Sequence, residues 1–182
     1  MKKTILALLL LTPLCYLLWS VRSANDPIKY IYTFTGTSAI TILMLSLAVS
    51  PLKKVVNLMR YRKVLGLFAF FYALLHFINF YVLDAQLDFA FVVKETLDKP
   101  FVYLGMISFL ILLFMALSST KKLFRKFSSY HKAVYIVLVL VTIHASMAQK
   151  VLSSLEYTYI IVTFMLLGYR VYEKNKRRKI IG

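Results

Sequence analysis

Six stretches of 16 to 20 residues carry almost no charge and are flanked by charged residues or proline: 4–21, 33–52, 64–83, 101–120, 133–149 and 157–172. A helix rises 1.5 Å per residue, so roughly 20 apolar residues cross the hydrocarbon core of a bilayer with every backbone hydrogen bond made internally. The pattern predicts an all-α integral membrane bundle of six transmembrane helices. With 60% of its 182 residues hydrophobic and 15% aromatic, the chain has more apolar surface than a soluble domain of this size buries. The longest connection is 84–100, so residues 1–182 read as one membrane domain with no room for a soluble catalytic domain beside it.

The net charge of +16 is distributed in a way that sets orientation. With both termini cytoplasmic, 18 of the 23 lysines and arginines fall inside, among them Lys53, Lys54, Arg60, Arg62, Lys63, Lys121, Lys122, Arg125, Lys126 and Lys132. Only Arg22, Lys29, Lys94, Lys99 and Lys150 fall outside, together with six of the seven acids, Asp26, Asp84, Asp88, Glu95, Asp98 and Glu156. This is the positive-inside pattern of a multi-pass protein of a cell inner membrane with both termini in the cytoplasm. Such a rim suits the anionic headgroups of membrane lipid, and its distribution excludes nucleic acid as the partner.

Lys2, Lys3 and the apolar run after them imitate a secretory signal. The run is longer than the roughly 7–15 residues of a signal core, and a cut after Ala24 would leave Arg22 where a small residue is required. The expectation is a retained first helix. Cys15 is the only cysteine, which excludes an intramolecular disulfide, a cysteine-ligated cluster and a CxxCH attachment, so any haem is non-covalent. The glycines, Gly36, Gly66, Gly105, Gly168 and Gly182, form no GxGxxG, which excludes a Rossmann nucleotide site. Gly66, Gly105 and Gly168 lie within spans, where glycine permits close helix packing. Neither HExxH, GxSxG nor a pair of intramembrane carboxylates occurs, which argues against a hydrolase or a proton-driven pump.

Ionisable side chains are costly at membrane depth, and this makes His76, His131 and His144 the candidate functional residues. A histidine in a span either hydrogen-bonds a neighbouring helix or ligates a metal. His76 follows Arg62 by 14 residues on the third span, and His144 follows His131 by 13 on the fifth. At 1.5 Å per residue these separations are about 21 Å and 20 Å, most of the hydrocarbon thickness. The third and fifth spans of an alternating bundle run in the same direction. His76 and His144 therefore share a depth near the outer face, and Arg62 and His131 share one near the inner face. Two facing imidazoles can supply both axial ligands of a haem iron. The inner pair offers one histidine and one arginine.

The segments Asp26-Pro27, Phe34-Thr35-Gly36, Arg60-Tyr61-Arg62-Lys63, Leu65-Gly66-Leu67, Leu75-His76, Lys99-Pro100, Leu104-Gly105, Tyr130-His131-Lys132, Val134-Tyr135 and Ile143-His144 occur in this order within residues 25–172. The combination resembles the MsrQ family of haem-binding membrane subunits, within the ferric reductase-like transmembrane superfamily that includes NADPH oxidases and ferric reductases. The resemblance implies b-type haem, one or two per chain, and FMN on the cytoplasmic side. It also implies a cytosolic flavin reductase as electron donor, and a periplasmic MsrP-like molybdopterin subunit that repairs oxidised methionine as acceptor. The chain is then a non-catalytic electron-transfer subunit. His76 and His144, with His131, are the expected haem ligands. Arg62, Arg60 and Lys63 are either plain topology charges or the groups that meet an FMN phosphate or haem propionates. One departure is that His144 is followed by Ala145-Ser146-Met147-Ala148-Gln149-Lys150, where the family tends to carry aromatic residues including tryptophan.

Two other readings stand beside this one: a stand-alone ferric or quinone-reacting b-type cytochrome, and a haem-free scaffold or channel whose histidines join helices. An acceptor is expected to dock on the acidic loop 84–100 or the turn 150–156.

Overall fold

The computed structural model describes residues 2–53 and 55–181; Lys54, one of the basic residues assigned to the inner side, lies outside the described residues. Among the described residues there are helices and no strand. The helices are α1 (Lys2–Ser20), α2 (Pro27–Leu52), α3 (Arg62–Asn79), α4 (Phe89–Asp98), α5 (Pro100–Leu117), α6 (Lys121–Phe127), α7 (Val134–Met147) and α8 (Ser154–Ile181). A π-helical turn, Phe80–Asp84, continues α3.

Local chemistry explains where several helices begin. Asp26 accepts the Lys29 N–H at 3.0 Å, and Pro27 takes the first helical position of α2, where no backbone donor is needed. Asp88 accepts the Ala90 N–H at 2.8 Å to open α4. At the start of α8, the Glu156 carboxylate receives the Ser153 N–H at 2.8 Å while the Ser153 hydroxyl accepts the Leu155 N–H at 3.2 Å, a capping box. The Ser153 hydroxyl also donates to Glu156 and holds its carboxyl below the usual carboxylate range. Pro13 inside α1 deprives the Leu9 carbonyl of its helical donor, and the Thr12 hydroxyl supplies a replacement at 2.7 Å.

Among the described residues five segments are long and apolar enough to cross a membrane: Lys3–Ser23, Pro27–Leu52, Met59–Asp84, Pro100–Leu117 and Tyr130–Met147. They match the first five expected spans, with the second and third beginning six and five residues earlier than expected. The sixth run lies inside α8, which is 28 residues long but interrupts its apolar stretch with Arg170 and continues into a basic tail. Two segments expected to be plain connections are helical instead. Loop 84–100 contains α4, and α6 follows the fourth span. Both are short and amphipathic, so neither produces an uncharged run.

α2 packs on α3, and α5 on α7. Tyr72 and Ala69 of α3, and Val137 and Leu138 of α7, are fully buried, with Ile40, Leu43 and Leu47 of α2 in the same cluster. Hydroxyls tie the helices where apolar packing gives no preference of partner. Tyr72 donates to the Leu10 carbonyl at 2.9 Å, joining α3 to α1. Thr41 meets Tyr159 at 3.0 Å and Thr142 meets Thr163 at 2.8 Å, so α8 is bonded to both α2 and α7.

Candidate functional site

His76 of α3 and His144 of α7 lie beside each other with ring centres 6.3 Å apart and planes at 86°, an edge-on arrangement. The sequence expectation of equal depth is met as direct proximity. A carbonyl oxygen only accepts, so the contact of His144 Nδ1 with the Phe101 carbonyl at 2.6 Å fixes the proton on Nδ1. His76 Nδ1 contacts the Tyr32 carbonyl at 3.2 Å and Thr35 Oγ1 at 3.3 Å. Thr35 donates its own proton to the Ile31 carbonyl at 2.7 Å and therefore also accepts from His76. Both imidazoles are held in the same tautomer, and among the described residues neither Nε2 has a hydrogen-bond partner. Tyr32, whose ring lies edge-on to His76 at 5.4 Å, donates to Asp84 at 2.7 Å.

Each ring lies over a glycine one turn beyond its carbonyl acceptor. A Cβ at Gly105 would fall 2.8 Å from His144 Cε1, and one at Gly36 would fall 3.2 Å from His76 Cε1. The same device thus occurs twice: Tyr32 and Gly36 on α2 seat His76, and Phe101 and Gly105 on α5 seat His144. Gly105 serves ring seating, not the helix packing expected of it.

At the other end of α3 and α7, Arg62, Lys63 and His131 line one cavity of about 520 Å³, within the size range of small-ligand sites. Lys121, Lys132 and Arg170 line it too, and among the described residues no acid does. Arg60 is not in the lining; its guanidinium lies 4.7 Å from the centre of the Tyr61 ring. Lys63 Nζ donates to the Ser119 carbonyl at 2.6 Å. His131 differs from the other histidines. Ser118 donates to the Phe114 carbonyl at 2.7 Å, so the 3.0 Å contact between Ser118 Oγ and His131 Nε2 makes Nε2 the donor and leaves Nδ1 with the free lone pair. Sequence reasoning missed Arg170 as a site residue, although a lone arginine within an apolar run is a signal.

Among the described residues no three His, Cys, Asp or Glu side chains converge to hold a bare metal ion. Fold and site together define a polytopic helical membrane protein built around a pair of adjacent imidazoles. The model for the ferric reductase like transmembrane component matches residues 6–145. The protein-methionine-sulfoxide reductase heme-binding subunits MsrQ of Brucella ovis, Brucella canis and Brucella suis are each 36% identical to the chain over 152 residues, covering 80% of this chain and 69% of the relative. The chain belongs to the ferric reductase-like transmembrane family, in its MsrQ branch. No solved structure matches it.

Proposed function

We propose that this chain is a haem b-containing electron-transfer subunit of a cell inner membrane. It takes electrons from a cytosolic flavin reductase at its basic end and passes them to a periplasmic MsrP-like molybdopterin methionine-sulfoxide reductase at its histidine end. The observation that carries this reading is the His76–His144 pair. His76 and His144 would hold the iron through their Nε2 nitrogens. The 6.3 Å between the ring centres leaves room for an iron held by both rings. Haem, when bound, supplies one-electron chemistry between ferric and ferrous iron. The chain's own part is to orient both rings through Nδ1, which fixes the tautomer and raises the basicity of Nε2.

The basic cavity suits the phosphate of FMN, since Arg62, Lys63 and Arg170 bring cationic donors to a lining without acids. Its position about 20 Å along α3 and α7 from the histidine pair separates the two ends of an electron path by the hydrocarbon thickness. Six spans with both termini cytoplasmic follow if α8 crosses the membrane, which its hydroxyl bonds to α2 and α7 support.

The experiment is reconstitution in vesicles with a reduced-flavin donor on the basic side and the reductase with oxidised methionine substrate on the other. The wild-type chain is expected to show a low-spin b-type spectrum, to be reduced from the basic side and to be reoxidised from the other. Arg62→Ala should slow reduction about 10–100-fold, as expected when a charge-assisted contact worth about 1.5–3 kcal/mol is lost, and His131→Ala should slow it less, since its Nε2 proton is already given to Ser118. Unchanged rates in both variants would remove the cavity from the path.

A further inference from the structure

We infer that α4 lies in the membrane interface at the histidine end of the bundle, with Phe89, Val93 and Leu97 inserted into the lipid leaflet. At 100° per residue these three side chains fall within an arc of about 80°. They are 71%, 42% and 72% exposed, an apolar stripe left open among the described residues. The next arc carries Ala90, Lys94 and Asp98, all exposed, with Phe91, 37% exposed, at its far edge. The third carries Val92, buried, and Glu95 and Thr96, half-buried, on the side of α4 that packs against α5. A helix between protein and water needs two such faces. A third, apolar and uncovered, requires a third medium.

Two features identify that medium as lipid and not a soluble protein. The first is tethering. The π-helical turn that ends the candidate span Met59–Asp84 is four residues before α4, and only Lys99 separates α4 from the span Pro100–Leu117. Both ends of α4 are thus anchored at the membrane surface, and the stripe continues the lipid-facing belt of those spans, where Val82, Leu83 and Tyr103 are also exposed. The second is charge. Asp88 caps α4 and Glu95 pairs with Lys99 at 2.5 Å, and the exposed Asp98 lies on the arc with Lys94, so no acid falls on the stripe itself. Lys94 borders the stripe, where an amphipathic interfacial helix places a lysine against anionic headgroups. Leu87, 60% exposed at φ 67°, follows Gln86 at φ 48°. Two successive left-handed residues hold this leucine out beside the stripe, and lipid gives it an apolar environment.

The test uses the full chain in phosphatidylethanolamine–phosphatidylglycerol vesicles, with nitroxide labels at Val93→Cys, Leu97→Cys and Lys94→Cys in a Cys15→Ser background. All three positions are exposed, and far-UV circular dichroism checks that the variants keep wild-type helicity. Labels at 93 and 97 should collide with oxygen several-fold more than with a water-soluble nickel chelate, and the label at 94 should show the reverse. Equal nickel accessibility at all three positions overturns the inference. Labels at 93 and 97 that are open to nickel in vesicles and become shielded only when a soluble reductase is added would overturn it as well, and would give the stripe to that protein.

Discussion

Replacing His144 by alanine is expected to eliminate the low-spin b-type haem spectrum, and His76→Ala is expected to do the same. The proposed iron has two protein ligands, and each variant removes one of them. The remaining ring stays oriented by its own carbonyl, Tyr32 for His76 and Phe101 for His144, so partial five-coordinate binding with a high-spin spectrum is the most that survives. Added imidazole, which fills the space of the lost side chain, should restore the low-spin bands in either variant without restoring any covalent link to α3 or α7. Unchanged low-spin spectra in both variants would show that the pair does not hold the iron.

The second large effect is expected at Gly105. An alanine Cβ there would sit 2.8 Å from His144 Cε1 and 3.0 Å from Nδ1, well inside the optimal carbon contact of about 3.5–4.0 Å. The ring cannot retreat without stretching its 2.6 Å bond to the Phe101 carbonyl, on the same helix as the intruding methyl. Gly105→Ala should therefore lower haem affinity by about 10–100-fold, the usual cost of disturbing the partners that orient a ligand. Gly36→Ala, where the approach is 3.2 Å, should cost less. Alanine is the better helix former by about 1 kcal/mol, so neither variant should lose helicity, and the loss at the site is separable from a loss of fold. Wild-type haem content in Gly105→Ala would show that the ring does not depend on this seat.

These residues also mark how far the sequence could be read. Hydropathy located the first five spans because the bilayer imposes a minimum length of uncharged helix, and equal depth on parallel helices brought His76 to His144. The glycine seats were not legible. Gly36 and Gly105 look like any intramembrane glycine until α2 and α5 are packed against α3 and α7, since the ring that each one admits comes from a different helix. The inner cavity divided in the same way. Arg62, Lys63 and His131 lie near one another by helix register, whereas Arg170 arrives from α8 by tertiary packing and Arg60 turns onto its neighbour Tyr61. The donor role of His131 Nε2 depends on Ser118 already giving its proton to a backbone carbonyl, a local arrangement with no sequence signature. α4 and α6 escaped notice because a search for uncharged runs discards amphipathic helices of 10 and 7 residues.

The central claim, that one haem iron is held between His76 and His144, is tested most directly by the ferric electron paramagnetic resonance spectrum of the purified full-length chain. If the rings keep their 86° angle around the iron, they would donate into different iron d orbitals and leave those orbitals nearly degenerate. The account predicts a low-spin signal dominated by one broad, strongly shifted g feature. A high-spin signal alone, the rhombic three-line spectrum of parallel imidazoles, or a folded protein that takes up no haem would contradict it.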